Sequence, residues 1–265
     1  MADASTGGRG PAVEVERPFR VERFAALPST NETALERARA GDPGHLWIVA
    51  DRQTSGRGRR GRVWVSESGN LFASALLIDP CEPLRLAELP FVAVVAARRA
   101  VAAHLARGET RARIKWPNDL LVDGAKVAGI LLESTRLTDG RTAVAVGIGI
   151  NCKQAPAGTE TPATSLLACG CGVFPEVLFD DLTAALSRTL AIWERGHGFA
   201  AIRAEWLDHA GGIGQPIRVR LVAGEKTGVF EAIDAAGRLV LRTAEGAREA
   251  ISAGDVFFPA SAGAE

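Results

Sequence analysis

"ARIKWPNDLLVDGAKVAGILLEST", residues 112–135, is the stretch on which the fold turns. Aliphatic runs, each of strand length, flank Asp123-Gly124, a dipeptide that favours the tight turn of a hairpin. The spacing predicts two paired strands. The first of them also carries Lys115, Trp116, Asn118 and Asp119 nearly side by side, and Lys126 follows just after the turn. A strand with only a structural role rarely gathers so many polar groups beside a tryptophan. The segment therefore reads as sheet and as candidate site at once.

Outward from it, "TAVAVGIGINC" (142–152) and "NLFASALLI" (70–78) are further apolar runs of strand length, and "LWIVADRQ" (46–53) fits a buried strand. "FRVERFAAL" (19–27) alternates as a strand does. A helix is predicted to follow it, capped by Ser29 or Thr30, with Glu32 and Glu36 near its positive end and Gly41 closing it. A second helix over 91–107 has Phe91, Val94, Val95, Val101 and Leu105 as its inner face. Helical spacing of Val177, Leu178, Leu182, Leu186, Leu190 and Trp193 marks a third over 175–194, and 199–209 a fourth. From about Ile213 the pattern changes. "PIRVRLV", "TGVFEAI", "GRLVLRT" and "AREAISAGDVFF" are four short strands divided by glycine-containing turns, the pattern of a small antiparallel β-barrel. The expected organisation is a disordered tail over 1–18, a catalytic domain over 19–212 and a small C-terminal barrel over 213–260, with no internal repeat.

Composition narrows the function. The chain of 265 residues is 47% apolar and 23% charged, as an ordinary globular protein is, and its 31 basic and 31 acidic residues cancel. A general nucleic-acid binder needs a basic excess, so any basic site must be local. Cys81, Cys152, Cys169 and Cys171 lack the CxxC spacing of a metal site and the density of a disulfide scaffold, and the four histidines are scattered. Reduced thiols and a cytoplasmic location are expected. The N-terminus lacks the apolar core of a signal peptide, and the apolar helix over 91–107 is broken by Arg98 and Arg99. No membrane role is expected.

"QTSGRGRRGRVW", Gln53 to Trp64, holds four arginines and three glycines. It is open to three readings: a solvated basic loop, a contact to nucleic-acid phosphates, or a grip on a small anion. Its place directly after a buried strand and before Trp64 suits the last, with backbone amides and guanidinium forks closing round a carboxylate or phosphate. Neither P-loop spacing nor a clean GxGxxG explains it.

Together with "STN" at Ser29 to Asn31 and "GIGIN" at Gly147 to Asn151, the "GRGRRGR" and "KWPND…K.AGIL.E" motifs resemble the biotin protein ligases, in the group without an N-terminal DNA-binding domain. The similarity runs over about residues 19–258, in the family's order. It implies an α+β fold, an α/β-type mixed sheet flanked by helices followed by the small barrel. It implies an enzyme that joins biotin to the α-phosphate of ATP, with Mg²⁺, and passes the biotinyl group to one lysine of a biotin carboxyl carrier domain. Carried over, the resemblance puts biotin at Ser29, Thr30, Asn31, Gln53, Arg57, Gly58, Arg59, Lys126 and Gly129. ATP falls at Arg57, Arg59, Arg62, Trp64, Lys115, Asn118, Gly147, Gly149 and Asn151. Arg59, Lys126 and Asp119 would be catalytic, with Asp119 the partner of phosphate-bound Mg²⁺. The structural alternatives are that Ser29 only caps a helix, Asn151 only shapes a turn and Asp119 is only a surface charge.

Three rival functions remain. A lipoate or octanoate ligase shares the two-step logic, although the paired motifs favour biotin. A scaffold that uses its small barrel for partners leaves the arginines and lysines without a purpose. A ligase that also represses transcription needs a reading head of roughly 60 residues, whereas 28 precede Ser29. No specific nucleic acid is expected as a partner, and monomer and homodimer both remain open.

Overall fold

In chain order the elements are β1 (Arg20–Phe24), α1 (Thr30–Arg39), β2 (Leu46–Ala50), β3 (Leu71–Ile78), α2 (Leu89–His104) and a one-turn α3 (Gly108–Arg111). There follow β4 (Ala112–Lys115), β5 (Asp119–Val122), β6 (Ala125–Arg136), β7 (Thr142–Ile150), α4 (Pro175–Trp193) and α5 (Phe199–Asp208). The last part is all strand: β8 (Pro216–Leu221), β9 (Gly224–Ile233), β10 (Leu239–Arg242), β11 (Arg248–Ile251) and β12 (Asp255–Phe257). The computed structural model describes residues 18–258. The tail expected over 1–18 lies outside the described residues but for Pro18.

Seven strands form one sheet in the order β1-β2-β3-β7-β6-β5-β4, with β1 and β2 parallel and every other pair antiparallel. The period-2 alternation of β2 shows how the layers arise. Leu46, Ile48 and Ala50 pack with Ala34, Leu35 and Ala38 of α1, whereas Trp47 and Val49 join the large core beneath α2 and α4. Helices on both faces explain why β2 is buried along its whole length. They also explain why α2 is wider in its burial than the single inner face expected: it is covered by the sheet, α4 and α5. Even Arg98 is buried there, and its guanidinium meets Glu109 at 2.5 Å.

The hairpin region holds three strands rather than two. The turn at Asp123 and Gly124 is present, with φ of 50° and 83°, but β4 stops at Lys115 and β5 starts at its ladder partner Asp119. Pro117 lies between them and has no N–H to give a ladder. Trp116 to Asn118 thus become a turn that projects polar side chains from the sheet.

The second sheet has five strands, one more than expected, in the order β11-β10-β9-β8-β12. "AREAISAGDVFF" breaks after Ile251, and its halves sit at opposite edges, β11 on β10 and β12 on β8. Among the described residues no ladder joins these edges into the expected barrel. Trp206 of α5 and Phe230 of β9 lie 6.4 Å apart between ring centroids, and Trp116 Nε1 donates to Gly237 O at 3.0 Å. The second sheet therefore packs beside the turn that carries Asn118 and Asp119.

Candidate active site

The face of the large sheet that carries α1 is also the floor of the site. Ser29 caps α1, its hydroxyl 3.5 Å from Glu32 N. Capping fixes the first turn, so that Thr30 and Asn31 reach over β3 and β7. Thr30 N and Oγ1 donate to Gln53 Oε1 at 2.8 and 3.1 Å. Ser74 Oγ lies 2.7 Å from both Thr30 Oγ1 and Asn31 Oδ1, and Asn31 Nδ2 donates to Leu131 O at 3.1 Å and Glu133 Oε2 at 2.8 Å. Gln53 in turn donates to Ser66 Oγ at 2.9 Å. Ser29, Thr30, Asn31 and Ser74 are all buried. Ser29, Thr30, Asn31 and Gln53 line a small cavity of about 30 Å³ with Phe72, Leu131, Gly147 and Gly149, and Ser74 braces Thr30 and Asn31 from behind. Gly147 is needed because a Cβ there would stand 2.4 Å from Asn31 Oδ1.

Trp64 and Arg57 border this cavity and also a larger one of about 240 Å³. The Trp64 indole lies against Gly149, where a Cβ would come within 2.6 Å of it. Its Nε1 is buried without a hydrogen-bond partner. The two cavities are thus parts of one groove with an indole between them.

Cations crowd the larger cavity. Arg57, Arg59, Arg62, Lys115 and Lys126 line it, as do Gly58, Asn118, Asp119, Gly129 and Asn151. The arginine loop folds back on itself, with Gly58 N donating to Arg62 O at 2.7 Å and Trp64 N to Gly56 O at 2.9 Å. The guanidiniums of Arg60 and Arg62 both reach Asp255 of β12, at 3.1 and 3.0 Å. Arg59 donates to Asn118 Oδ1 at 3.1 Å and to Gly254 O at 3.4 Å. On the other side Arg57 meets Glu32 and Glu133 at 3.4 and 3.5 Å. Lys126 Nζ is 2.6 Å from Asp119 Oδ1 and 5.3 Å from the Trp64 ring centroid. Lys115 Nζ is 3.5 Å from Thr161 Oγ1 and 5.7 Å from the Phe257 ring.

Burial acts on two of these cations. It holds Lys115 below the usual lysine range, with Asp119 opposing, and lowers Arg59 against Asp255 and Asp119. Removing these charges from water costs free energy that an incoming anion would offset.

Every candidate residue read from the sequence lines one of the two cavities. Ser29, Thr30, Asn31, Gln53, Gly147 and Gly149 fall at the small one, the rest at the large one or at both. Asn118 and Asn151 are already engaged within the protein, Asn118 Nδ2 with Ile130 O and Asn151 Nδ2 with Thr164 O at 3.1 Å. Sequence reading passed over Ser74, Glu133, Asp255 and Phe257. The available signal was for lysines: only four of the chain's 31 basic residues are lysine, and two of those four are Lys115 and Lys126.

The mixed sheet with a small antiparallel sheet beside it, on which this groove is built, has counterparts among known proteins. Residues 24–151 match the Biotin/lipoate A/B protein ligase family, and residues 212–258 match the Biotin protein ligase C terminal domain. The chain belongs to this family, among its biotin protein ligases. It is 44% identical to the biotin–[acetyl-CoA-carboxylase] ligase of Paracoccus denitrificans, over 89% of this chain and 99% of that one. It is 34% identical to the bifunctional ligase/repressor BirA of Bacillus subtilis, over 86% of this chain and 70% of that one. Among solved structures, the biotin protein ligase of Aquifex aeolicus in complex with biotin and ATP superposes with a TM-score of 0.74. That match has 27% identity and covers 90% of this chain and 97% of that one.

Proposed function

We propose that the chain is a biotin–[acetyl-CoA-carboxylase] ligase. It activates biotin with ATP and transfers the biotinyl group to a lysine of a biotin carboxyl carrier domain. The observation that carries this reading is the groove itself. A ureido ring needs matched neutral donors and acceptors, which Thr30, Asn31 and Gln53 supply at the small end, with Ser74 orienting the first two. The valeryl chain then runs past Trp64, which borders both cavities, and delivers the carboxylate among the cations.

In the first step a carboxylate oxygen of biotin attacks the α-phosphorus of ATP, and the bond to the bridging oxygen breaks, releasing pyrophosphate. Two unit negative charges at 4 Å repel by about 4 kcal/mol at an effective dielectric of about 20. Arg57, Arg59 and Lys126 offset that repulsion and stabilise the charge that grows at phosphorus. Lys115 and Arg62 hold the remaining phosphate oxygens, and Asn118 and Asn151 shape the nucleotide end. Among the described residues there is no cluster of three or more metal-ligating side chains. Asp119, itself paired with Lys126, fits one contact to Mg²⁺ carried on the ATP phosphates rather than a protein-held ion. Such an ion supplies further neutralisation of phosphate charge.

In the second step the acceptor amine, as the free base, attacks the acyl carbon, the acyl carbon–oxygen bond to the phosphate breaks, AMP leaves as the anion, and the proton lost by nitrogen passes to solvent. The mixed anhydride hydrolyses in open water. The arginine loop, drawn over the cavity by Asp255 on one side and Glu32 and Glu133 on the other, keeps water from it. No described helix is long and apolar enough to cross a membrane, and a cytoplasmic location and an acceptor on acetyl-CoA carboxylase complete the reading. The test is to incubate the protein with biotin, ATP and a carrier domain and to map the label by mass spectrometry. One biotinyl group on a single carrier lysine supports the reading, and no label on the carrier refutes it.

A further inference from the structure

The large cavity has a wall that nothing so far explains. Residues 155–161 contribute Pro156, Thr159, Glu160 and Thr161 to its lining. The stretch is anchored at both ends. Lys153 N and Gln154 N donate to Asn70 Oδ1 at 2.9 and 3.2 Å, and beyond it Pro162 O and Thr164 N bond to Lys126 at 2.7 and 2.9 Å. Between those anchors no backbone hydrogen bond ties residues 155–161 to the rest of the described residues. The side-chain ties there are Lys115 to Thr161, at 3.5 Å, and a 2.5 Å ion pair from Glu160 to Arg220 of β8. Arg220 is itself set by the second sheet: its Nε meets Glu225 at 3.2 Å, and its guanidinium lies 4.7 Å from the ring centroid of Phe257, another residue of the cavity wall.

We propose that Arg220 is a positioning residue for the nucleotide, holding residues 155–161 over the large cavity through Glu160 while packing on Phe257. The inference rests on the reading of that cavity as the ATP site. Both side chains are over a third exposed, and an exposed pair contributes little to global stability. Its effect is local. A wall without backbone bonds must be ordered when the nucleotide binds, and each tie already in place reduces that cost. Biotin, at the far end of the groove, does not touch this wall. ATP affinity should therefore depend on the pair while biotin affinity does not.

The experiment measures initial rates of biotinyl-AMP formation by the full chain, varying ATP and biotin in turn, for Glu160→Gln, Arg220→Gln and the double variant. Each single change is expected to raise KM for ATP about two- to fivefold, the range an exposed pair can supply, with kcat, KM for biotin and the melting temperature unchanged. Because Arg220→Gln already frees Glu160, the double variant should match Arg220→Gln alone rather than multiply the two effects. An unmoved KM for ATP, a parallel rise in KM for biotin, or multiplying effects would overturn the role. If the unaltered protein forms no biotinyl-AMP at any ATP concentration, the reading of the cavity falls and this inference with it. A normal unaltered enzyme with insensitive variants overturns the positioning role alone.

Discussion

Lys126 Nζ stands 2.6 Å from Asp119 Oδ1, across the hairpin formed by β5 and β6. The pair lines the large cavity, where the proposed function brings the biotin carboxylate to the α-phosphate. A lysine there acts as a point charge, free to turn from Asp119 to the reacting oxygens as charge develops. Lys126→Ala is expected to slow adenylate formation by about 10²- to 10³-fold, the usual cost of one lost donor to a developing oxyanion. Biotin affinity, set at the other end of the groove, should change little. Single-turnover rates beside calorimetric binding of biotin check this. A collapse of biotin affinity at an unchanged rate would make Lys126 a binding residue.

Arg59 differs, because it touches Asn118 of the first sheet and Gly254 of the second. Arg59→Gly removes a fork from the phosphoanhydride and a bridge between the sheets, with no loss of core packing. The adenylate should escape faster and biotinylate bystander lysines. Retention of radiolabelled biotinyl-AMP on a desalting column equal to that of the unaltered protein would count against it.

Lys115 is buried and its pKa is held below the ordinary 10.5, mainly by burial. Between its folded value and 10.5 the native state binds fewer protons than the unfolded chain, so native stability rises with pH across that window. The chain contains no tyrosine, but burial raises the Cys81 and Cys152 thiols to about 11 and about 12, which lowers stability above about pH 9 in parent and variant alike, so the difference between the two proteins isolates Lys115. Lys115→Met should flatten that rise and raise the melting temperature at neutral pH, while adenylation falls sharply. Thermal melts from pH 7 to pH 10 decide it. A lower melting temperature in the variant would show that the buried ammonium stabilises the empty protein.

Ser74 is a residue that no motif marked. Its hydroxyl joins Thr30 and Asn31, the side chains read as contacts to the ureido ring. Ser74→Ala leaves those groups without a shared partner, at a cost of about 1–2 kcal/mol, or roughly five- to thirtyfold in biotin affinity. KM for ATP should stay where it is. Equal changes in both constants would place Ser74 outside the biotin pocket.

How much of this was legible beforehand depended on whether the signal was local. Strands and helices with clear periodicity lay where the spacing put them, because burial on one face or on both imposes the period. Two strands were missed where a chain break has little local signature: at Pro117, inside a run read as continuous, and after Ile251, where the chain crosses to the other edge of the second sheet. The site was legible where its residues are contiguous, in "STN", "GRGRRGR" and "KWPND". Asp255 and Phe257 were not, since they reach the cavity only through the pairing of β12 with β8 and the packing of two sheets. Ser74 looked like one small residue in an apolar strand, and only the register of β3 beside α1 gives it a purpose.

Incubating the protein with radiolabelled biotin, ATP and Mg²⁺, without any acceptor, tests the central claim most directly. Formation of biotinyl-5′-AMP with one equivalent of pyrophosphate, and no comparable product from lipoate, is the expected result. Absence of the adenylate, or equal activation of lipoate, would contradict the account.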